Sequence, residues 1–291
     1  MTGDATQRRH VISNRLSLLG AQASLRKLAE GFPALKKKTL FKGVAPWPEL
    51  HGCLVILFTS RSGSTYLCRE LEKHYWIGSV GESLNPSQLS SRARRHELNS
   101  PAAAIRYTVR HLGENGWFAF KSGNAGLSIA ELSGFMEAYW GYTKLILLIR
   151  RDLVAQAISQ VKADITSRYH SNQKEVRPVR IEEFSFENIL QRMKNTLSRF
   201  KVLDEYVKSA GLPCGHLFYE QFETGDFSTV TSLCDMLEIP RRPPSAANRN
   251  RIVEKIGDSV NAAWHERFCS QIEGTACAIL EEYSALMSDR T

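Results

Sequence analysis

A chain of 291 residues, 43% hydrophobic and 23% charged, with 19 glycines and 10 prolines spread along it, has the composition of a folded, enzyme-sized protein. That composition excludes collagen, coiled coil and intrinsic disorder. The net charge of +8 does not make it a nucleic-acid binder, because residues 1–43 hold nine basic residues against Asp4 and Glu30 while the remainder is nearly balanced, 29 basic to 28 acidic.

The basic front contains one amphipathic helix over Ser13 to Glu30, with Leu18, Ala21, Leu25 and Leu28 at helical spacing and Gly31 and Pro33 as its stop. Such a helix either packs on the body or touches anionic lipid, which would set the protein at the inner face of a membrane. Residues 1–50 therefore read as a basic extension and 51–291 as one domain. Cys53 to Thr59 (CLVILFT) is an apolar run of the kind that forms a strand buried on both faces. Three more follow, Trp117 to Lys121, Lys144 to Ile149 and Gly215 to Tyr219. Between and after them, Ala125 to Tyr139, Leu153 to His170, Phe184 to Ser209 and Phe227 to Leu237 carry helical periodicity. This order predicts an α/β fold of three layers, a mostly parallel central sheet flanked by helices, with ligands at the C-terminal ends of the strands.

The six cysteines, Cys53, Cys68, Cys214, Cys234, Cys269 and Cys277, include no C-x-x-C pair, which speaks against structural zinc and a disulfide framework. They read as reduced, buried thiols of a cytoplasmic protein. No stretch reaches the roughly 20 apolar residues that span a bilayer, and no secretory signal pattern opens the chain.

Immediately after the first strand run comes Ser60-Arg61-Ser62-Gly63-Ser64-Thr65, then a helix over Tyr66 to Tyr75. Strand, small-residue loop and helix together make an anion site, since loop N–H groups and the helix dipole converge on one point. Gly63 permits close backbone approach, the hydroxyls add donors and Arg61 adds a charge. A nucleoside-triphosphate loop would place Lys after Gly63, and here it is absent. The third strand run ends in Arg150-Arg151-Asp152, offering guanidiniums where an ATPase would place a magnesium ligand. Ser159 follows Arg151 by about two helical turns. Ile77 to Glu82 reads as a short strand-like piece that presents Glu82 as a general base, and Lys121 closes the second strand where a cation would face transferring oxygens. Singly, each residue also reads as an ordinary surface group.

In combination the loop FTSRSGSTYLC, the Gly81-Glu82 step, FAFK, RRDLVAQAISQVKA, the Tyr219-Glu220 pair of HLFYEQF and the C-terminal KIGDSVNAAWHERF resemble bacterial sulfotransferases of the trehalose-sulfotransferase type. The resemblance runs from about Cys53 to Phe268. It implies a P-loop-like fold, 3′-phosphoadenosine 5′-phosphosulfate as donor, adenosine 3′,5′-bisphosphate as product, a carbohydrate acceptor and a homodimer; the missing magnesium carboxylate fits a reaction with no metal, and a basic helix on a membrane would make a glycolipid acceptor the natural candidate. Carried over by position, the loop Ser60 to Thr65 would cradle the 5′-phosphosulfate and Arg151 with Ser159 would hold the 3′-phosphate. Lys255 would reach the donor, and Glu82 would be the base beside Arg61 and Lys121. Two stretches depart from the family's pattern. Ser83-Leu84-Asn85-Pro86 replaces an aromatic pair after the acid, and Ser171 to Ile181 has no counterpart, so trehalose itself is not implied. Two other readings stay open on the residues alone: a magnesium-dependent kinase of related fold, and a non-catalytic binder of anionic surfaces driven by the basic front.

Overall fold

The computed structural model describes residues 14–33, 35, 40–41, 46–168, 176–243 and 259–288. Its centre is a parallel sheet of strands β1 (Gly52–Phe58), β2 (Trp117–Ser122), β3 (Thr143–Ile149) and β4 (Cys214–Phe218), in the order β2-β1-β3-β4. Register is fixed by Val55 opposite Phe120 on one side and Leu145 on the other. Every residue of β1 is buried, as its unbroken apolar run requires. Alternate β1 side chains divide between two cores: Cys53, Val55 and Leu57 enter one, Leu54, Ile56 and Phe58 the other. The four predicted strand runs match the observed strands to within a residue at each end.

The first core is covered by α1 (Ala21–Glu30), α3 (Pro86–Arg95), α4 (Pro101–Leu112), α5 (Asn124–Leu132), α6 (Phe135–Tyr139), α7 (Leu153–Thr166), α8 (Phe186–Ala210), α10 (Ser259–Cys269) and α11 (Thr275–Ser288). The second is covered by α2 (Ser64–His74) and α9 (Ser228–Met236). The result is the expected three-layer α/β arrangement. Among the described residues no helix is long and apolar enough to cross a membrane.

Several sequence expectations are corrected. Residues 77–82 are not a strand. Gly78 has φ +74°, the Glu72 carboxylate accepts the Val80 N–H at 2.7 Å, and among the described residues the piece's backbone bond to the sheet edge is the one the Lys121 N–H donates to the Gly81 carbonyl at 2.9 Å. The helix expected over 125–139 breaks at Gly134, whose φ of +75° no helix accommodates. The helix expected to run to His170 ends at Thr166, with Ser167 left-handed at φ 55°. Helices α3, α4, α10 and α11 were not anticipated. Of the cysteines, Cys53, Cys68 and Cys234 are buried, but Cys214 and Cys277 are half-buried and Cys269 is exposed.

The front helix is interrupted at Gly20 (φ +63°) and packs on the body through Leu19, Ala21 and Leu28. Arg15 is buried with it. Its Nε lies 3.0 Å from Glu131 Oε1, its guanidinium sits 4.3 Å over the Trp140 ring, and the Tyr206 hydroxyl donates to the same Glu131 oxygen at 2.7 Å. Burial raises the Glu131 carboxyl above its ordinary pKa, opposed by the Tyr206 hydrogen bond and the Arg15 charge. Removing Arg15 strands that carboxylate in the core. We expect Arg15→Ala to lose about 3 kcal/mol in denaturant unfolding at neutral pH. Because protonation of Glu131 removes the stranded charge, the loss should shrink as pH falls into the carboxylate range. A variant within 0.5 kcal/mol of the parent would contradict this account of the front segment.

Candidate active site

The chain's switch point lies between β1 and β3, where successive connections leave in opposite directions and open a crevice at the strand ends. The loop after β1 fills the head of this crevice. Arg61 takes a left-handed conformation (φ 66°), as does Gly63 (φ 83°), so the backbone reverses tightly before α2 begins. A Cβ on Gly63 would stand 2.2 Å from the Tyr219 ring, so only glycine fits both the dihedral and the space. No side chain caps α2, which leaves its first-turn N–H groups facing the crevice.

The loop is held from behind by α7. Gln156 and Gln160, one helical turn apart, both donate side-chain N–H to the Ser60 carbonyl, at 2.7 and 3.0 Å. Gln156 also donates to Thr59 Oγ1 (2.9 Å), and Gln160 to Thr196 Oγ1 on α8 (2.9 Å). With the carbonyl tied down, the loop's donors are free to turn toward the crevice. Sequence reading missed these two glutamines. Their signal was polarity at helical spacing on a helix otherwise apolar enough to be buried.

Lys121 and Glu82 meet at one side of the loop. The Lys121 ammonium, on a buried side chain, donates to Thr65 Oγ1 at 2.9 Å and Ser64 Oγ at 3.3 Å, and lies 4.0 Å from Glu82 Oε1. Glu82 and Lys121 border a cleft of about 290 Å³ that is also lined by Ser60, Asn85, Asn124 and Arg199.

On the other side Arg61 turns to α7, where its Nε donates to Ser159 Oγ at 2.8 Å. Arg61 and Ser159 share a small pocket with Lys162, Thr166, Arg168 and Asn261. Burial, reinforced by the neighbouring Arg150 and Arg168 charges, pushes the Arg61 guanidinium below its ordinary pKa. So many cations at one place repel one another, and an anion between them would relieve that repulsion. Two buried polar atoms bordering the loop, Ser62 Oγ and Arg150 Nε, make no hydrogen bond, which also fits an absent anionic partner.

The adjacent arginines at the end of β3 part company, as successive residues leaving a strand do. Arg150 donates to the Arg61 carbonyl at 3.2 Å and lies 5.0 Å over the Tyr219 ring. Arg151 faces away, its guanidinium 4.1 Å over the Phe218 ring, while Glu220 accepts its backbone N–H at 3.0 Å. The structure thus brings Ser159 to Arg61 and Arg168, with Arg151 outside the pocket they line. Arg168, Lys162 and Asn261 were not foreseen, since they come from the end of α7 and from α10. Lys255 lies outside the described residues.

Residues 124–271 match the model of the Stf0 sulphotransferase family, a stretch from α5 past α10 that includes Arg150, Arg151, Ser159 and Arg168. No curated protein matches the chain. Among solved structures it is similar to the sulfotransferase domain from the curacin biosynthetic pathway, at 14% identity and TM-score 0.49 over 83% of this chain and 99% of that one. It is also similar to the sulfotransferase domain from the Synechococcus PCC 7002 olefin synthase, at 14% identity and TM-score 0.45 over 82% and 98% of the two chains.

Gln156 touches the loop at the Ser60 carbonyl and at Thr59 Oγ1 and does not line either pocket, which makes it a positioning residue. Gln156→Leu should weaken adenosine 3′,5′-bisphosphate binding in calorimetry about tenfold or more, the worth of a hydrogen bond or two. Gln156→Asn, one methylene short of the carbonyl, should not restore it. Unchanged affinity would show that the clamp does not set the loop.

Proposed function

Because the chain belongs to the Stf0 sulphotransferase family, we propose that it transfers a sulfuryl group from 3′-phosphoadenosine 5′-phosphosulfate to a hydroxyl of a carbohydrate or glycolipid acceptor. The observation that carries the reading is the meeting of Glu82, Lys121, Ser64 and Thr65 at the head of α2, on the wall of a cleft.

The residues fit the donor's two anionic ends. Ser62, Gly63, Ser64, Thr65 and the first turn of α2 would hold the 5′-phosphosulfate, with Lys121 beside them. Arg61, Ser159, Lys162 and Arg168 would hold the 3′-phosphate, in the pocket where cations already crowd. When bound, the donor supplies an electrophilic sulfuryl group on a phosphate leaving group. Glu82, part-exposed at the cleft, is set to accept the acceptor hydroxyl's proton. Lys121 and the α2 amides are preorganised positive charge for oxygens that gain charge in the transition state, so catalysis rests on positioning and electrostatics. A polar-lined cleft that offers Asn124 and Ser60 suits a polyhydroxylated acceptor. Arg26 and Lys27, exposed on α1, support an approach to anionic lipid and hence a glycolipid acceptor.

Glu82→Gln should leave bisphosphate affinity within about twofold and lower kcat by about 10² to 10⁴. Retained turnover would exclude Glu82 as the base. Arg168→Ala should weaken the 3′,5′-bisphosphate about tenfold or more while leaving adenosine 5′-phosphosulfate unaffected. Equal weakening of both nucleotides would move the 3′-phosphate elsewhere.

A further inference from the structure

Three charged groups line the 290 Å³ cleft, and they are differently committed. Lys121 is bonded to the Ser64 and Thr65 hydroxyls and stands 4.0 Å from Glu82, so these two charges offset each other at the loop end of the cleft. Arg199, on α8, is the third. Among the described residues it makes no hydrogen bond, ion pair or ring contact, although its neighbours on the same helix are tied down: Thr196 accepts from Gln160, and Lys201 pairs with Glu282. Asn124, on the cleft wall, likewise spends its side chain on no described partner, while the Asn85 side chain is occupied in capping α3. The cleft therefore has one polarised end, where Glu82 and Lys121 meet, and elsewhere on its lining an exposed guanidinium with no protein partner among the described residues.

A free guanidinium on a cleft wall presents a planar fork of donors that matches a carboxylate or a phosphate, and against a neutral hydroxyl it gains much less. The donor's own anionic groups already have sites of their own at the loop and in the Ser159 pocket. We infer that Arg199 is a specificity-determining residue for the acceptor, which carries a phosphate or carboxylate in addition to the hydroxyl that is modified. This rests on the sulfotransferase reading and narrows its acceptor class from carbohydrates in general to acidic ones. Glu82 sets one constraint more. An acceptor whose anionic group lay beside the reacting hydroxyl would meet the Glu82 carboxylate, so the acidic group must sit on the opposite part of the molecule, at Arg199.

The experiment titrates the full chain, saturated with adenosine 3′,5′-bisphosphate, with glucose, glucose 6-phosphate and glucuronate, and repeats the series with Arg199→Gln. The expected result is binding of the phosphate or the uronate at least tenfold tighter than glucose, loss of that preference in Arg199→Gln, and unchanged bisphosphate affinity in the variant. The phosphate and uronate arms separate the two anion chemistries. Glucose binding as well as its acidic counterparts, neither acidic sugar binding, or a preference that survives Arg199→Gln would overturn the inference. A fall in bisphosphate affinity in the variant would also overturn it, by making Arg199 a donor ligand. Failure of the parent protein to bind the bisphosphate at all would instead remove the sulfotransferase reading beneath it.

Discussion

One carbonyl group organises the functional end of this molecule. The Ser60 C=O accepts from both Gln156 and Gln160, and through them the loop after β1 is fastened to α7 and α8. A loop of small residues would otherwise have many conformations of similar energy, and its donors would not converge. Fixing the carbonyl behind the loop orients the following N–H groups forward, and the left-handed conformations of Arg61 and Gly63 complete the reversal into α2. Tyr219 closes the arrangement from β4, packed so tightly on Gly63 that a side chain there would collide with its ring.

Around that loop the protein accumulates like charge. Burial lowers the Arg61 pKa, and the neighbouring Arg150 and Arg168 charges lower it further. Half-buried cations gathered at one place do not serve stability, since each costs desolvation and like charges repel. The arrangement makes physical sense as preorganisation for an anion, with repulsion in the free protein converted to attraction on binding. The contrast with Arg15 is instructive. That guanidinium is more deeply buried than these three, but it has Glu131 against it and aromatic rings beside it, which marks it as a structural anchor for the front segment.

Much of this was legible in the sequence. Runs such as CLVILFT read as doubly buried strands, and a small-residue loop between such a strand and a helix reads as an anion site or as an ordinary helix start. Lys121 at the end of FAFK reaches the loop because β1 and β2 are neighbours in register. What stayed hidden depends on facts that sequence spacing does not carry. Which of Arg150 and Arg151 turns toward the loop is decided by where the pleat of β3 ends. Lys162, Arg168 and Asn261 join one pocket only after α10 folds back on α7. Arg199 is one of several basic residues along a 25-residue helix, and only the cleft distinguishes it. Residues 77–82 read as a strand-like piece, yet Gly78, at positive φ, directs them away from sheet pairing beyond the Gly81 contact.

The central claim is that the loop and the Ser159 pocket together form a site for a nucleotide with phosphates on both the 3′ and 5′ positions. Calorimetric titration with adenosine 3′,5′-bisphosphate, beside ADP with and without magnesium, tests it most directly. The account predicts magnesium-independent binding of the bisphosphate at least tenfold tighter than ADP. Preference for magnesium-ADP, or binding of neither nucleotide, would contradict it.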